Sequence, residues 1–155
     1  PDVVGSQLCA ALKNAYAMGI GFGAGLHQRA QGERGSVALH NYEAAVFAQS
    51  LVEMQEIVLG QGGGTATVLG LPGSGDLSVT CNGGRTGRFG ALLGLGHATR
   101  EAIRLMQGAT LECLEVLAVL DRFLIGASPG RPDRRSLPKI STTAFRWRFN
   151  RTTAS

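Results

Sequence analysis

The chain has 155 residues, 44% hydrophobic and 17% charged, with 23 Gly, 5 Pro and 3 Cys. This length accommodates one domain with a single core and excludes two full domains. There is no G-X-Y period, which excludes collagen, and the abundance of Leu, Val, Ala and Ile argues against general disorder.

An odd set of widely spaced cysteines, Cys9, Cys81 and Cys113, argues against a disulfide scaffold and for reduced thiols in a cytoplasmic protein. The formal net charge of +4 is uneven. Residues 1–124 carry eight basic and ten acidic side chains, net −2, whereas residues 125–155 carry seven basic and one acidic, net +6. The slightly acidic body disfavours a nucleic-acid partner.

The first residues, PDVVGS, contain neither Met nor a basic n-region and read as a chain cut into rather than a natural start. Residues 3–26 place Val4, Leu8, Leu12, Ala15, Gly19 and Phe22 at steps of three and four, which predicts a helix. The apolar run Ala15 to Leu26 is twelve residues long and holds four glycines, short of the ~20 a bilayer requires, so no membrane partner is expected. Gly21 and Gly25, spaced GxxxG, predict a close approach by another helix. Residues 27–36 read as a polar loop.

A second helix is predicted over 41–60, with Asn41 as its N-cap. Its wide apolar face comprises Ala44, Ala45, Phe47, Ala48, Leu51, Val52, Met54 and Val58, and glycines end it. Residues 70–90 are glycine-rich and show almost no helical pattern. Two further helices are predicted over 91–107 and 110–124, with Thr99 capping the run that starts at Arg100. No strand pattern of useful length and no internal repeat is present. From Ile125 onward helical periodicity stops, and three of the five prolines occur there. This basic segment is expected to be disordered, or read out of frame from GC-rich DNA as thirteen Arg against two Lys suggest; FRWRFNR would be its nucleic-acid-contacting part.

Several common chemistries are missing. Gly73-Ser74-Gly75 leads to Ser78 where a dinucleotide fingerprint needs Gly, and neither lysine completes a phosphate loop. His27, His40 and His97 lack metal-ligand spacing and read as solvated or capping residues, so no metal is expected. What remains is Lys13-Asn14 within an apolar helix, and Asp76 and Arg85 in the glycine-rich stretch. Apolar neighbours desolvate a lysine and favour its neutral, proton-accepting form, while a carboxylate nearby opposes this and fixes the ammonium's direction. A guanidinium among glycines suits a phosphate, because its planar fork binds two oxygens and glycines expose backbone N–H groups. The competing account is a lysine that snorkels to a helix end beside a flexible loop.

Three strings, in order, carry a resemblance: GSQLCAALKNAYAMGIGFGAGL, NYEAAVFAQSLVEM and GLPGSGDLSVTCNGGRTGRFG. They resemble the C-terminal domain of NAD(P)-dependent glycerol-3-phosphate dehydrogenases of the bacterial type, with the family's ALKN helix, N-x-x-A-A…L-x-E-M helix and GL-x-G-x-GDL-x-x-TC loop. The match runs from about Asp2 to about Leu117. It implies an all-α, multi-helix dehydrogenase C-terminal domain, 6-phosphogluconate dehydrogenase C-terminal-like, over 1–124, without the family's N-terminal Rossmann domain.

By the same resemblance, Lys13 is the proton acceptor from the secondary hydroxyl of glycerol 3-phosphate, and the donor to dihydroxyacetone phosphate in reverse. Asp76 bonds the lysine or the substrate hydroxyls, and Thr80 supports that cluster. Gly84, Arg85 and Thr86 occupy the substrate-binding positions; Arg85 also meets the NAD or NADP cofactor, as does Glu112. A homodimer is implied. The chain departs from the family at Thr86, where Asn is usual after Ser-Arg, at Gly84 in place of that Ser, and at Cys113, where the glycine of VEG is usual. The rival reading is a non-catalytic helical interaction domain that dimerises through the GxxxG helix.

Overall fold

In this computed structural model, which describes residues 1–125, α1 (Val3–Arg29) is the axis on which the other elements are laid. It starts at the predicted residue and runs three residues past the predicted end, and Asp2 caps it: Oδ1 accepts the Gly5 N–H at 2.7 Å. The other carboxylate oxygen, Oδ2, accepts the Gly64 N–H at 2.8 Å and the Thr67 hydroxyl at 2.6 Å, tying the start of α1 to α3 (Thr65–Leu69).

The second helix, α2 (Val37–Gly60), begins a turn before the predicted Asn41. Ser36 is the cap, its Oγ accepting the Leu39 N–H at 3.3 Å, which leaves Asn41 exposed inside the helix. His27 caps the intervening loop as expected, with Nε2 3.0 Å from both the Glu33 carbonyl and Ser36 Oγ. The apolar face of α2 divides. Phe47, Leu51, Met54 and Val58 pack inward, whereas Ala44, Ala45, Ala48 and Val52 face out.

The glycine-rich stretch 70–90, predicted to lack helix, is helical almost throughout. A π-type turn (Leu71–Gly75) leads into α4 (Asp76–Cys81), and α5 (Arg85–Leu95) follows. The Gly75 N–H donates to the Gly70 carbonyl five residues back, and Ser74 Oγ donates to the Leu69 carbonyl at 2.6 Å. Weak local propensity is overridden by packing here: a Cβ on Gly73 would fall on the Val68 carbonyl, so only glycine lets the turn sit against α3.

The predicted helix 91–107 is interrupted. Gly96, at φ 103°, is a left-handed C-cap that ends α5, and α6 (Thr99–Leu105) starts afresh. Ala98 occupies the cap position of α6, and Thr99 is its first helical residue with no capping bond. The last described element is α7 (Glu112–Ile125). Among the described residues there is no strand, and no helix is long and apolar enough to cross a membrane. The expectations placed on 126–155, including the disordered, out-of-frame and nucleic-acid readings, lie outside the described residues.

The GxxxG prediction holds in detail. Gly21 and Gly25 face α5, where Cβ atoms would fall on the carbonyls of Gly87 and Ala91. Reciprocally, Cβ atoms on Gly90 and Gly94 would fall on the carbonyls of Met18 and Phe22. Two glycine pairs at i, i+4 therefore bring the α1 and α5 backbones together. Apolar side chains fill both ends of this seam. Cys9, Leu12, Tyr16, Met54, Val58, Val68 and Leu77 form one cluster; Met18, Phe89, Ala102, Met106 and Cys113 form the other.

Candidate active site

Lys13 sits in the third turn of α1 between buried Leu12 and Asn14. Its ammonium donates to Asp76 Oδ2 at 2.6 Å, and the side chains are 22% and 37% exposed respectively. Sequence neighbours explain the meeting. Leu12 and Leu77, each one residue from a member of the pair, share a core cluster with Tyr16. Burying them places α4 against α1 and brings the carboxylate to the ammonium. Asp76 is the first residue of α4, presented by the π-type turn, and it borders a shallow cavity of about 390 Å³ lined by Leu71, Pro72, Gly75 and Val79.

Thr80 braces this arrangement indirectly. Its hydroxyl donates to the main-chain carbonyl of Asp76 at 2.7 Å, so it holds the first turn of α4 rather than the carboxylate. Gly84 is the N-cap of α5, and no side chain caps that helix. Arg85 is its first residue; it is exposed and makes no ion pair among the described residues. An uncapped helix N-terminus with an unpaired guanidinium at its first position is suited to an anion.

Glu112 opens α7 and is likewise exposed, but it is held: the Asn14 amide donates to its Oε2 at 3.2 Å. Asn14 is 8% exposed and had no role assigned from the pattern. An amide in an otherwise apolar stretch was the available signal, but its partner lies 98 residues away. Thus adjacent residues of α1 reach two elements, Lys13 to α4 and Asn14 to α7. Tyr16, one turn on, is hydrogen-bonded to Glu53 and buried; burial first, then the Glu53 charge, pushes its phenol far above the ordinary range.

A scan against family descriptions matches residues 2–127 to the NAD-dependent glycerol-3-phosphate dehydrogenase C-terminus. The chain belongs to that family. An NADP(+)-dependent glycerol-3-phosphate dehydrogenase of Archaeoglobus fulgidus is 35% identical over 102 residues, covering 66% of this chain and 29% of that one. A glycerol-3-phosphate dehydrogenase [NAD(P)+] of Sodalis glossinidius is 34% identical over 128 residues, covering 79% and 35%. The crystal structure of glycerol-3-phosphate dehydrogenase from Coxiella burnetii superposes with a TM-score of 0.70 at 34% identity, covering 81% of this chain and 36% of that one. The chain therefore spans about a third of the length of these relatives.

In this glycerol-3-phosphate dehydrogenase C-terminus, two of the departures from the family pattern, Thr86 and Cys113, are buried. Thr86 is 6% exposed and Cys113 is fully buried. The Thr86 side chain is thus turned inward, and what it leaves facing outward at the α5 N-terminus is its neighbour Arg85. Arg85 and Glu112 expose a cation and a carboxylate here, and the described residues contain no parallel sheet of the kind that binds a dinucleotide.

Proposed function

We propose that this chain is the substrate-binding and proton-transferring part of an enzyme that interconverts sn-glycerol 3-phosphate and dihydroxyacetone phosphate with NAD or NADP. The observation that carries the reading is the Lys13–Asp76 pair at 2.6 Å beside an apolar shelf. The nicotinamide cofactor, when bound, supplies hydride acceptance and return. Lys13 takes the proton of the secondary hydroxyl during oxidation and gives it to the ketone oxygen during reduction. Asp76 fixes the direction of the ammonium, and Thr80 fixes the turn that carries Asp76.

Arg85 and the free N–H groups of Gly84, Arg85 and Thr86 receive the phosphate. Glu112 and Arg85 meet the cofactor from this side. The enzyme is proposed to act in the cytoplasm as a homodimer. The GxxxG face of α1 is not its dimer contact, because α5 covers it, and the non-catalytic reading loses the surface on which it rested.

The test is a chimera that joins this chain to the remaining two thirds of the Archaeoglobus fulgidus relative. Lys13→Met should lower turnover by about 10²–10⁴-fold, the range for a positioned acid–base group, while the melting temperature holds. Full activity in the Lys13→Met chimera would remove Lys13 from the mechanism. An active wild-type chimera is the companion requirement.

A further inference from the structure

Asn14 is a buried amide in the apolar body of α1. Its Nδ2 makes a long bond of 3.5 Å to the Ala10 carbonyl one turn back, and a shorter one of 3.2 Å to Glu112 Oε2 on α7. Lys13 and Asn14 are consecutive, so their side chains leave α1 about 100° apart. One reaches the carboxylate that opens α4, the other the carboxylate that opens α7.

Apolar packing brings α7 to this place. Met18, one turn beyond Asn14 on the same face of α1, shares a core cluster with Cys113, the neighbour of Glu112. Glu112 itself is exposed, so core packing does not fix its side chain. We infer that Asn14 is a positioning residue: its amide holds the Glu112 carboxylate in a set place relative to Lys13, ready for the dinucleotide. A carboxylate already held by one donor has lost its rotamer freedom before a ligand arrives. A hydroxyl or amide N–H of the dinucleotide then binds it without that ordering cost. Asn14 acts through Glu112, and the inference rests on the proposed meeting of Glu112 with NAD or NADP.

The pairing is tested on the whole 155-residue chain, labelled with ¹⁵N. Asn14→Leu should shift the backbone amide resonances of Glu112 and Cys113, and Glu112→Gln should shift the side-chain amide of Asn14. Asn14→Asp sets acceptor against acceptor and should displace the Cys113 resonance as well. Adding Glu112→Gln to it exchanges donor and acceptor atom for atom, and should return that resonance toward the wild type. Absent shifts, or a double variant that returns nothing, overturn the inference whatever the enzyme binds.

The consequence is tested in the Archaeoglobus fulgidus chimera by NADP affinity, turnover and melting temperature. Asn14→Leu, Glu112→Gln and the two together should each weaken NADP binding about tenfold, as for residues acting as one unit, with turnover at saturation within about twofold. If Glu112→Gln weakens NADP binding but Asn14→Leu only lowers the melting temperature, Asn14 is structural and the inference falls alone. If Glu112→Gln leaves NADP affinity unchanged, the cofactor reading of Glu112 falls and takes the positioning role with it. Should Asn14→Leu not fold, Asn14→Asp carries the same readouts.

Discussion

Two glycines one half-turn apart on α1 should respond in opposite directions to the same substitution. At Gly19 an added Cβ meets nothing within 4 Å. At Gly21 it falls on the carbonyl, carbonyl carbon and Cα of Gly87, all rigid backbone of α5. Replacing an interior helical glycine by alanine gains about 1 kcal/mol of propensity at either position. Forcing a methyl against backbone costs about 3 kcal/mol, because neither helix can yield without opening the whole seam. Gly19→Ala should therefore stabilise by about 1 kcal/mol and Gly21→Ala destabilise by about 2 kcal/mol.

At about 3 °C per kcal/mol, the two variants should melt about 9 °C apart, with the wild type between them. Denaturant unfolding of the full chain, followed by circular dichroism, reads the difference directly. A Gly21→Ala variant as stable as Gly19→Ala would mean that α1 and α5 do not meet through their glycines. The same result would reopen the α1 face as a contact for a second copy.

Stability should depend on Asp2 in a pH-specific way. The Thr67 hydroxyl, then the Gly5 and Gly64 N–H groups, hold its carboxyl below the ordinary value of 3.8. The native state thus favours the ionised form, and that contribution is present above pH 3.8 and lost as pH falls through the lowered folded value. Asp2→Ala should melt below the wild type at pH 7, with the gap closing under acid; a gap that stays constant down to acid would detach the effect from the carboxylate. The thiols should be sluggish. Burial, then the Glu43 charge, pushes Cys81 up to about 11, and Cys9 and Cys113 are fully buried. An aromatic disulfide reagent at pH 8 should leave the native chain largely unreacted and titrate all three thiols after denaturation. Rapid native reaction of all three would contradict the packing of both core clusters.

What could be read from the residues alone was whatever local periodicity or a fixed short spacing encodes. The bodies of α1 and α2, the helical character without strands, and Lys13, Asp76 and Arg85 as candidate residues all came from such patterns. So did the close packing at Gly21 and Gly25, because two missing side chains on one helical face leave a groove wherever the partner lies. Boundaries were less legible. Asn41 and Ser36 are both good caps, and only the chain path from His27 to Ser36 decides between them.

The tertiary structure alone decided the rest. The glycine-rich stretch 70–90 has little propensity of its own and becomes helical because its glycines fit against α3 and α1. Asn14 finds Glu112, and Cys113 joins a cluster with Met18 and Phe89, because α7 folds back over α1 and α5, a contact that no local pattern contains. Side-chain type and spacing determined which groups were available. Which of them face one another was set by backbone approach distances, which depend on residues far apart in the chain.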